Sequence, residues 1–243
     1  MTPGRLGMVL DRALTPDLLD VALRVAAEAG DSPDARRLLT VALRDHVSPQ
    51  EAEGKTKKCL TRVWVRPPEP AREMIRWAIE HRDLDPSHKI LHLGALLATF
   101  PFFGAVAAIV GRQIHLEAAI RQRSVQDEAM KELGDRSTID VGARKVVTTM
   151  RYLGLLEGTS GGPLHPAEDR PPVPAELAPW MTHALLLSRQ ISAIGTDEVS
   201  RSFELTTLDL NGGRLNGYPL LELHSESGRT VAVARDPAPN GHP

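Results

Sequence analysis

Residues 124–158 read SVQDEAMKELGDRSTIDVGARKVVTTMRYLGLLEG, and this stretch decides the fold class that the sequence indicates. Ser124 has the side chain of a helix N-cap, and Gly134 ends the short helix that follows. Residues 135–137 form a turn before a second helix begins. Apolar residues recur along the second helix at the helical period, so one of its faces is expected to be buried. That face consists of Ile139, Ala143, Val146, Val147, Met150 and Leu153.

The opposite face of the second helix carries basic and short polar side chains. Gly154 ends this helix, the letters LLEG lead off as an extended strand, and a Gly-rich loop comes next. A helix, a tight turn, a helix, a strand and a loop in this order are typical of a winged helix-turn-helix, whose second helix enters the major groove of DNA. We therefore expect contacts with double-stranded DNA from Arg136 at the turn and from Arg144, Lys145, Thr148 and Arg151 on the helix.

The residue types on this face suit different parts of DNA. Arg144 and Arg151 are seven residues apart, nearly two turns, so both point toward guanine edges or phosphates. Lys145 suits a phosphate, and Thr148 suits a phosphate or a base. Arg136 suits a phosphate held at the helix N-terminus. A basic face that is only solvated, or that binds another protein, is the alternative interpretation.

A second basic stretch, GKTKKCLTRVWVR at residues 54–66, contains no acidic residue. At helical spacing Lys58, Arg62 and Arg66 share one face. Such a patch neutralises phosphates without reading base sequence. A solvated face, or a patch for an acidic protein partner, explains the same residues about as well. The candidate DNA contacts in this stretch are Lys55, Lys57, Lys58 and Arg62.

The rest of the chain is predicted to be mostly helical, because Ser, Thr or Asp followed by Pro repeatedly precedes an apolar run. Residues 1–15 are expected to be loosely ordered. A β-hairpin is expected at 218–236, where two β-prone runs flank a Ser-Gly turn. The predicted helices cover 15–31, 32–46, 48–65, 70–82, 85–99, 101–123 and 175–195, the last with a bend at Pro179.

These patterns predict an all-α, multi-helical fold with a winged helix-turn-helix module and a small C-terminal β-hairpin. Changes in composition divide the chain into four parts. They are an N-terminal helical domain at 1–84, a helical core with the winged helix-turn-helix at 85–157, a Gly/Pro-rich loop or linker at 158–174, and a C-terminal helix, hairpin and disordered tail at 175–243.

The bulk composition is that of an ordinary globular chain, with 243 residues, 42% hydrophobic residues and a net charge of −2. This charge provides no general attraction to nucleic acid, so any basic surface must be local. Cys59 is the single cysteine and cannot form an internal disulfide, which fits the cytoplasm.

Residues 90–111 lack charged side chains and are long enough to cross a bilayer, but Pro101 divides them. Two buried helices and no membrane partner are therefore predicted.

No motif in the sequence indicates an enzyme. The letters PQEAEGKT at 49–56 approach the phosphate-binding loop pattern, but Pro49 stands where that pattern needs glycine. His88 and His92 have a spacing that suits a metal, but the nearest third candidate in the sequence is His81. A buried or capping role is favoured for these histidines. We therefore predict a protein without catalytic residues, metal or cofactor.

Residues 111–158, with the apolar helical block before them, resemble the C-terminal half of the BrxA family. The resemblance lies in the letters ST before a helix and in the basic run ARKVVTTMRYLGLL. BrxA is an accessory protein of BREX phage-defence systems. The resemblance implies a soluble helical protein with DNA-binding helix-turn-helix modules, with Arg144, Lys145 and Arg151 on the DNA-facing helix. It also implies other defence-system subunits as partners. A transcriptional regulator and a protein-interaction adaptor remain the alternatives.

Overall fold

The computed structural model of the chain describes residues 7–30, 32–48, 54–117, 119–159, 161–210, 215–226 and 228–235. This part of the chain is mostly helical and contains two small antiparallel sheets of three strands. The helices are α1 (Pro16–Ala29), α2 (Ala35–Leu43), α3 (Lys55–Leu60), α4 (Arg72–Glu80), α5 (Lys89–Thr99), α6 (Pro101–Leu116), α7 (Gln122–Leu133), α8 (Ser137–Tyr152), α9 (Ala178–Arg189) and α10 (Thr196–Val199). The strands are β1 (Ile120–Arg121), β2 (Leu156–Gly158), β3 (Pro163–Pro166), β4 (Ala193–Gly195), β5 (Leu221–Glu226) and β6 (Arg229–Ala234).

Local capping explains where several helices begin and end. The Thr15 hydroxyl accepts the third N–H of α1, and Gly30 ends this helix with a φ of 54°. The N-cap predicted at Asp85 is wrong in position, because α5 begins at Lys89 and its N-cap residue is His88. The Asp85 carboxylate still serves the first turn of α5, since it accepts the N–H groups of Ile90 and Leu91 at 2.7 and 3.2 Å.

The apolar block forms two buried helices, as predicted. Pro101 occupies the first turn of α6, and the axes of α5 and α6 differ in direction by 115°. The side chains of α5 from Ile90 to Thr99 are all buried. Among the described helices, none is by itself long and apolar enough to cross a membrane, and only the bent α5–α6 pair reaches the required length and composition jointly.

Two predicted helix starts are wrong. Ser124 does not cap α7, which begins at Gln122; its hydroxyl instead donates to the Arg121 carbonyl at 2.7 Å. The helix predicted from residue 32 begins three residues later, because the Ser32 side chain accepts the Asp34 N–H within a turn. A serine that bonds a nearby backbone group closes a turn as readily as it caps a helix.

The helix predicted at 48–65 changes its hydrogen bonding partway along. Residues 49–53 lie outside the described part of the chain, and α3 covers Lys55–Leu60. The next turn, Thr61–Val65, is a π-helix in which the Arg66 N–H donates to the Thr61 carbonyl at 2.6 Å. This wider turn places the bulky Val63, Trp64 and Val65 side chains in the core.

The helix predicted at 175–195 is too long. Pro179 lies in the first turn of α9 and does not bend it, because proline lacks an N–H that this turn does not need. Gln190 adopts a φ of 56° and ends α9, so residues 193–195 become strand β4.

The predicted hairpin is confirmed as β5 and β6, to which β4 adds a third strand in the order β4-β6-β5. The predicted tail at 237–243 lies outside the described residues.

The other sheet is built from distant pieces in the order β1-β3-β2, and all its strand pairs are antiparallel. Strand β3 lies inside the segment 158–174 that was predicted to be a loop or linker. Leu164 is paired with Ile120 on one side and with Gly158 on the other. The element order α6-β1-α7-α8-β2-β3 therefore forms one compact unit.

The C-terminal helix packs into the same core as the earlier helices. The Trp180 indole N–H of α9 donates to the Met74 carbonyl of α4 at 3.0 Å. Its ring lies against Gly94 of α5, where a Cβ atom would overlap it. These contacts join the predicted part at 175–243 to the part at 1–84, through Met74, and to the part at 85–157, through Gly94.

Candidate nucleic-acid interface

The turn between α7 and α8 holds the two helices in a defined orientation. Gly134 has a φ of 118°, which favours glycine, and only residues 134–136 separate the helices. The Gln126 amide of α7 donates to the Asp140 carboxylate of α8 at 2.7 Å. Arg123 pairs with the same carboxylate at 3.3 Å. The acidic residue of α8 is therefore occupied by α7.

The end of α8 directs the chain into the hairpin. The Leu155 N–H donates to the Met150 carbonyl, and the Gly154 N–H donates to the Arg151 carbonyl, both at 2.9 Å. These two bonds around a residue with a φ of 69° form a Schellman motif. The predicted stop at Gly154 is confirmed, and strand β2 begins two residues later.

The β2–β3 hairpin is attached to α8 by one of the predicted DNA contacts. The Arg151 guanidinium donates to the Gly158 carbonyl at 2.8 Å. Gly158 has a φ of 130°, and a Cβ atom there would overlap the Pro163 carbonyl, so only glycine fits. Arg151 therefore holds the hairpin beside the helix in addition to contributing charge.

The outer face of α8 agrees with the predicted pattern. All six residues of the predicted apolar face are buried, whereas Arg136 and Arg144 are exposed and Lys145 and Thr148 are half-buried. The Thr148 hydroxyl donates to the Arg144 carbonyl at 2.8 Å, so its proton is used within the helix. Tyr152, which the helical period also places on this outer face, is 51% exposed, and the sequence pattern did not identify a second exposed apolar side chain there, that of Val141, which is 40% exposed.

Three cations meet beside α8. Burial lowers the pKa of Lys145, and the positive charges of Arg144 and Arg12 lower it further. Within the residues that the structure describes, neither Arg144 nor Lys145 forms an ion pair. We call Arg12, Arg144 and Lys145 the α8 cation cluster. A bound anion would relieve the repulsion between Arg144 and Lys145.

Arg12 reaches the cluster because the N-terminal segment, residues 7–14, packs along α8. The Leu14 N–H donates to the buried Thr149 hydroxyl at 3.0 Å, and Val9 contacts the helix at Gly142. Leu14 is fully buried. The expectation that residues 1–15 are loosely ordered is therefore wrong for this segment. Because residues 7–14 are not helical, their sequence shows no apolar period that would predict this packing.

The second predicted basic set lines a cavity of about 400 Å³, called here the basic cavity. Lys57, Lys58 and Arg62 contribute to its wall, whereas Lys55 is exposed outside it. Two cations outside the predicted set, Arg36 and Arg66, line the same cavity. No carboxylate is among its lining residues in the described ranges. Arg36 comes from α2, which sequence spacing alone does not place near the 54–66 stretch.

Arg62 is used differently from the other members of the basic cavity. Its Nε donates to the Thr99 carbonyl at 2.7 Å, and its guanidinium carbon lies 5.3 Å from the centre of the Phe100 ring. The carbonyls in the last turn of a helix have no partner within that helix. Arg62 therefore provides one for α5, and only part of its charge faces the cavity.

The N-terminal segment connects the two basic regions. Met8 lines the basic cavity, and Arg12 belongs to the α8 cation cluster. Four residues of fully extended chain span at most ~14 Å. Successive phosphates of one DNA strand are ~3.4 Å apart along the helix axis, so Met8 and Arg12 are separated by at most about four phosphate spacings.

Comparisons of the chain with protein-family models, curated proteins and solved structures found no match in any of the three. The resemblance of residues 111–158 to the BrxA family therefore stays an expectation from the sequence.

Proposed function

We propose that this protein binds double-stranded DNA through a winged helix-turn-helix formed by α6, β1, α7, α8, β2 and β3. The order of these elements supports the proposal, as does the antiparallel β1-β3-β2 sheet. The short α7–α8 turn with Gly134 is a further feature of such modules. In this arrangement α8 enters the major groove and the β2–β3 hairpin lies beside the sugar-phosphate backbone.

The observation that carries the proposal is the α8 cation cluster. Lys145 has a depressed pKa because it is partly buried and lies near two arginines. Arg144 and Lys145 are neighbouring like charges that repel one another, and the phosphates of DNA supply anions at regular spacing that such cations bind. Arg144 has the geometry to bond a phosphate or a guanine edge. The exposed Val141 and Tyr152 provide apolar surface suited to thymine methyl groups.

We also propose that the cations of the basic cavity contact the sugar-phosphate backbone of the same duplex. Its four half-buried or exposed cations besides Arg62 suit phosphates, which fix the position of a protein on DNA but not its sequence preference. Arg136 is exposed at the N-terminus of α8 and suits a phosphate there.

The first prediction tests the cation cluster with the double variant Arg144→Ala, Lys145→Ala. Arg144 is exposed, Lys145 is half-buried, and neither belongs to the buried apolar face of α8, so the variant is expected to fold as the parent does. We expect weaker binding to duplex DNA and a smaller dependence of binding on salt. If both residues contact phosphate, the slope of log K against log salt decreases in magnitude by about 2. Fluorescence anisotropy at several salt concentrations measures the slope, and circular dichroism verifies folding.

A matched control removes the same charge elsewhere. Arg82→Ala, Arg229→Ala changes two exposed cations outside α8 and the basic cavity. This control is expected to bind nearly as the parent does and to keep the parent's salt slope. If both double variants lose the same affinity for duplex DNA, binding depends on the net charge of the protein and not on the α8 cation cluster. If the parent binds no duplex, or the α8 variant binds as tightly as the parent, the DNA proposal fails and α8 is better explained as a protein-binding helix.

The wider role that we propose is that of a non-enzymatic accessory protein in bacterial phage defence, acting with other subunits of that system. The resemblance of residues 111–158 to the BrxA family supports it. A strain carrying the Arg144→Ala, Lys145→Ala variant is expected to lose protection in a phage plating assay. Unchanged protection with altered transcript levels of neighbouring genes would favour a transcriptional regulator instead.

A further inference from the structure

Away from the basic regions, one carboxylate and two imidazoles meet between α1 and α5. Asp20 Oδ1 lies 2.6 Å from His88 Nδ1 and 3.1 Å from His92 Nε2. The three ligand atoms all lie within 4.8 Å of one another. Asp20 is the third group that the sequence analysis missed, because it is 68 residues from His88 along the chain.

The start of α5 holds both histidines in place. His88 is the residue before the helix and has a φ of 53°, a conformation that non-glycine residues seldom adopt. Asp85 stabilises this start by accepting the N–H groups of Ile90 and Leu91. His92 follows one turn later on the same face of α5. The two imidazoles therefore converge on α1 through backbone that is itself fixed.

Burial of the His92 side chain in the core is energetically unfavourable. Its side chain is 0% exposed, and Trp64 lies edge-on to its ring with centroids 5.7 Å apart. Among the described residues its Nδ1 has no hydrogen-bond partner. A buried polar atom without a partner is destabilising, whereas an apolar side chain of similar size would not be. His92 therefore contributes Nε2 to the cluster with Asp20 from a fully buried position.

The chemistry of the three side chains suits a metal ion, because imidazole nitrogens and a carboxylate oxygen are all metal ligands. An ionised carboxylate and two imidazoles are ligands that Zn²⁺ prefers.

The distances also suit a tetrahedral ion. Bonds of ~2.0–2.1 Å from a tetrahedral Zn²⁺ place neighbouring ligand atoms ~3.4 Å apart. The observed separations from Asp20 Oδ1, 2.6 and 3.1 Å, are shorter by less than 1 Å, which small side-chain rotations supply. The side chains of Asp20 and His88 are 39% and 28% exposed, so an ion has a path from solvent. The same opening admits a water molecule as fourth ligand.

We propose that Asp20, His88 and His92 bind one divalent transition-metal ion, with Zn²⁺ the best fit, and that the ion joins α1 to α5. The ligands come from elements far apart in sequence, so the bound ion stabilises the folded chain over the unfolded one. None of the three ligands belongs to the proposed DNA interface, and the proposed metal site does not rest on DNA binding.

The test uses tag-free, full-length protein that has been treated with a chelator and then dialysed. Calorimetric titration with ZnCl₂ is expected to give one Zn²⁺ per chain. Zinc in excess is expected to raise the melting temperature by roughly 5 °C or more. Co²⁺ is expected to produce the visible absorption of a tetrahedral site.

Two variants locate the ion. Asp20→Asn keeps the side-chain shape, and His88→Asn places at the positive φ a residue type that tolerates it. Each is expected to reduce the affinity for Zn²⁺ by ~10-fold or more. His46→Asn, which removes an exposed imidazole at the end of α2, is the control and is expected to bind as the parent does.

Three results would overturn the proposal. The first is no stoichiometric uptake of Zn²⁺ by the parent. The second is equal affinity in the parent and in both ligand-site variants, since the zinc would then be on surface histidines. The third is an unchanged melting temperature with excess zinc. Circular dichroism shows whether each variant is folded, and Asp20→Asn serves alone if His88→Asn is not.

Discussion

At the scale of single residues, Arg62 illustrates how a basic residue can have a structural role as well as a charge. Its guanidinium donates to the Thr99 carbonyl and lies over the Phe100 ring. Both partners belong to the bend between α5 and α6, where a helix ends inside the core. Lys58, in the same basic cavity, is exposed and has no such contact among the described residues.

We therefore predict that Arg62→Ala destabilises the fold and that Lys58→Ala does not. Loss of a hydrogen bond to a charged group costs ~1.5–3 kcal/mol, and the cation–π contact adds ~0.5–1 kcal/mol. Lys58→Ala is expected to stay within ~0.5 kcal/mol of the parent. Urea denaturation followed by circular dichroism measures both free energies of unfolding. Equal stability of the two variants would show that Arg62 does not cap α5.

At the scale of elements, the contact between the N-terminal segment and α8 determines the composition of the cation cluster. Gly142 lies on the buried face of α8, where a Cβ atom would overlap Val9 and lie 2.9 Å from the Phe102 ring. Glycine in a helix is normally unfavourable by ~1 kcal/mol relative to alanine. Its presence here allows the segment to approach the helix closely and to place Arg12 beside Lys145.

Gly142→Ala is accordingly predicted to destabilise the protein, although helix propensity alone predicts the opposite sign. Overpacking costs ~1–3 kcal/mol, which exceeds the gain from propensity. Residues 7–14 are expected to exchange their amide hydrogens faster, and DNA binding to weaken as Arg12 moves away. Thr138→Ala, at an exposed position of the same helix, is the control. A higher free energy of unfolding for Gly142→Ala would contradict this prediction, because residues 7–14 would then pack against α8 without needing a glycine there.

At the scale of the whole molecule, α9 connects the C-terminal sheet to the helical core. His183 of α9 is buried, and its Nδ1 lies 3.1 Å from the Tyr218 hydroxyl. The Tyr218 ring meets Trp77 of α4 edge-on, with centroids 5.0 Å apart. His183 therefore belongs to a set of contacts that joins α9, α4 and the residues just before β5.

This contact predicts a pH dependence of the free energy of unfolding. Burial lowers the pKa of His183 from 6.5 to about 4. Between pH 6.5 and 4 the unfolded chain binds a proton that the folded chain does not, so stability decreases as the pH falls. The slope is at most ~1.4 kcal/mol per pH unit. His183→Gln, which keeps a hydrogen-bonding side chain without a charge change, is expected to lose this contribution. Identical pH profiles of parent and variant in chemical denaturation would contradict it.

Much of the helical structure follows from the sequence alone. The apolar period of residues 139–153, the cap at Thr15, the stop at Gly154 and the break at Pro101 all agree with the structure. The physical reason is that the hydrogen bonds of a helix join residues four positions apart, so nearby side chains determine where a helix starts and ends. The predictions of Ser124 as a cap and of a long helix at 175–195 were wrong where a local turn or a strand competed.

The sites depended on tertiary contacts between residues far apart in the sequence. Strand β3 forms in a Gly/Pro-rich segment because β1 and β2 offer it backbone partners from both sides. Arg12 joins α8 across more than 130 residues, and Asp20 meets His88 across 68. A sequence pattern shows the type of each side chain and the helix face that it occupies. These faces come together only when the apolar core packs, and burial of apolar surface does not depend on how far apart two residues are in the sequence.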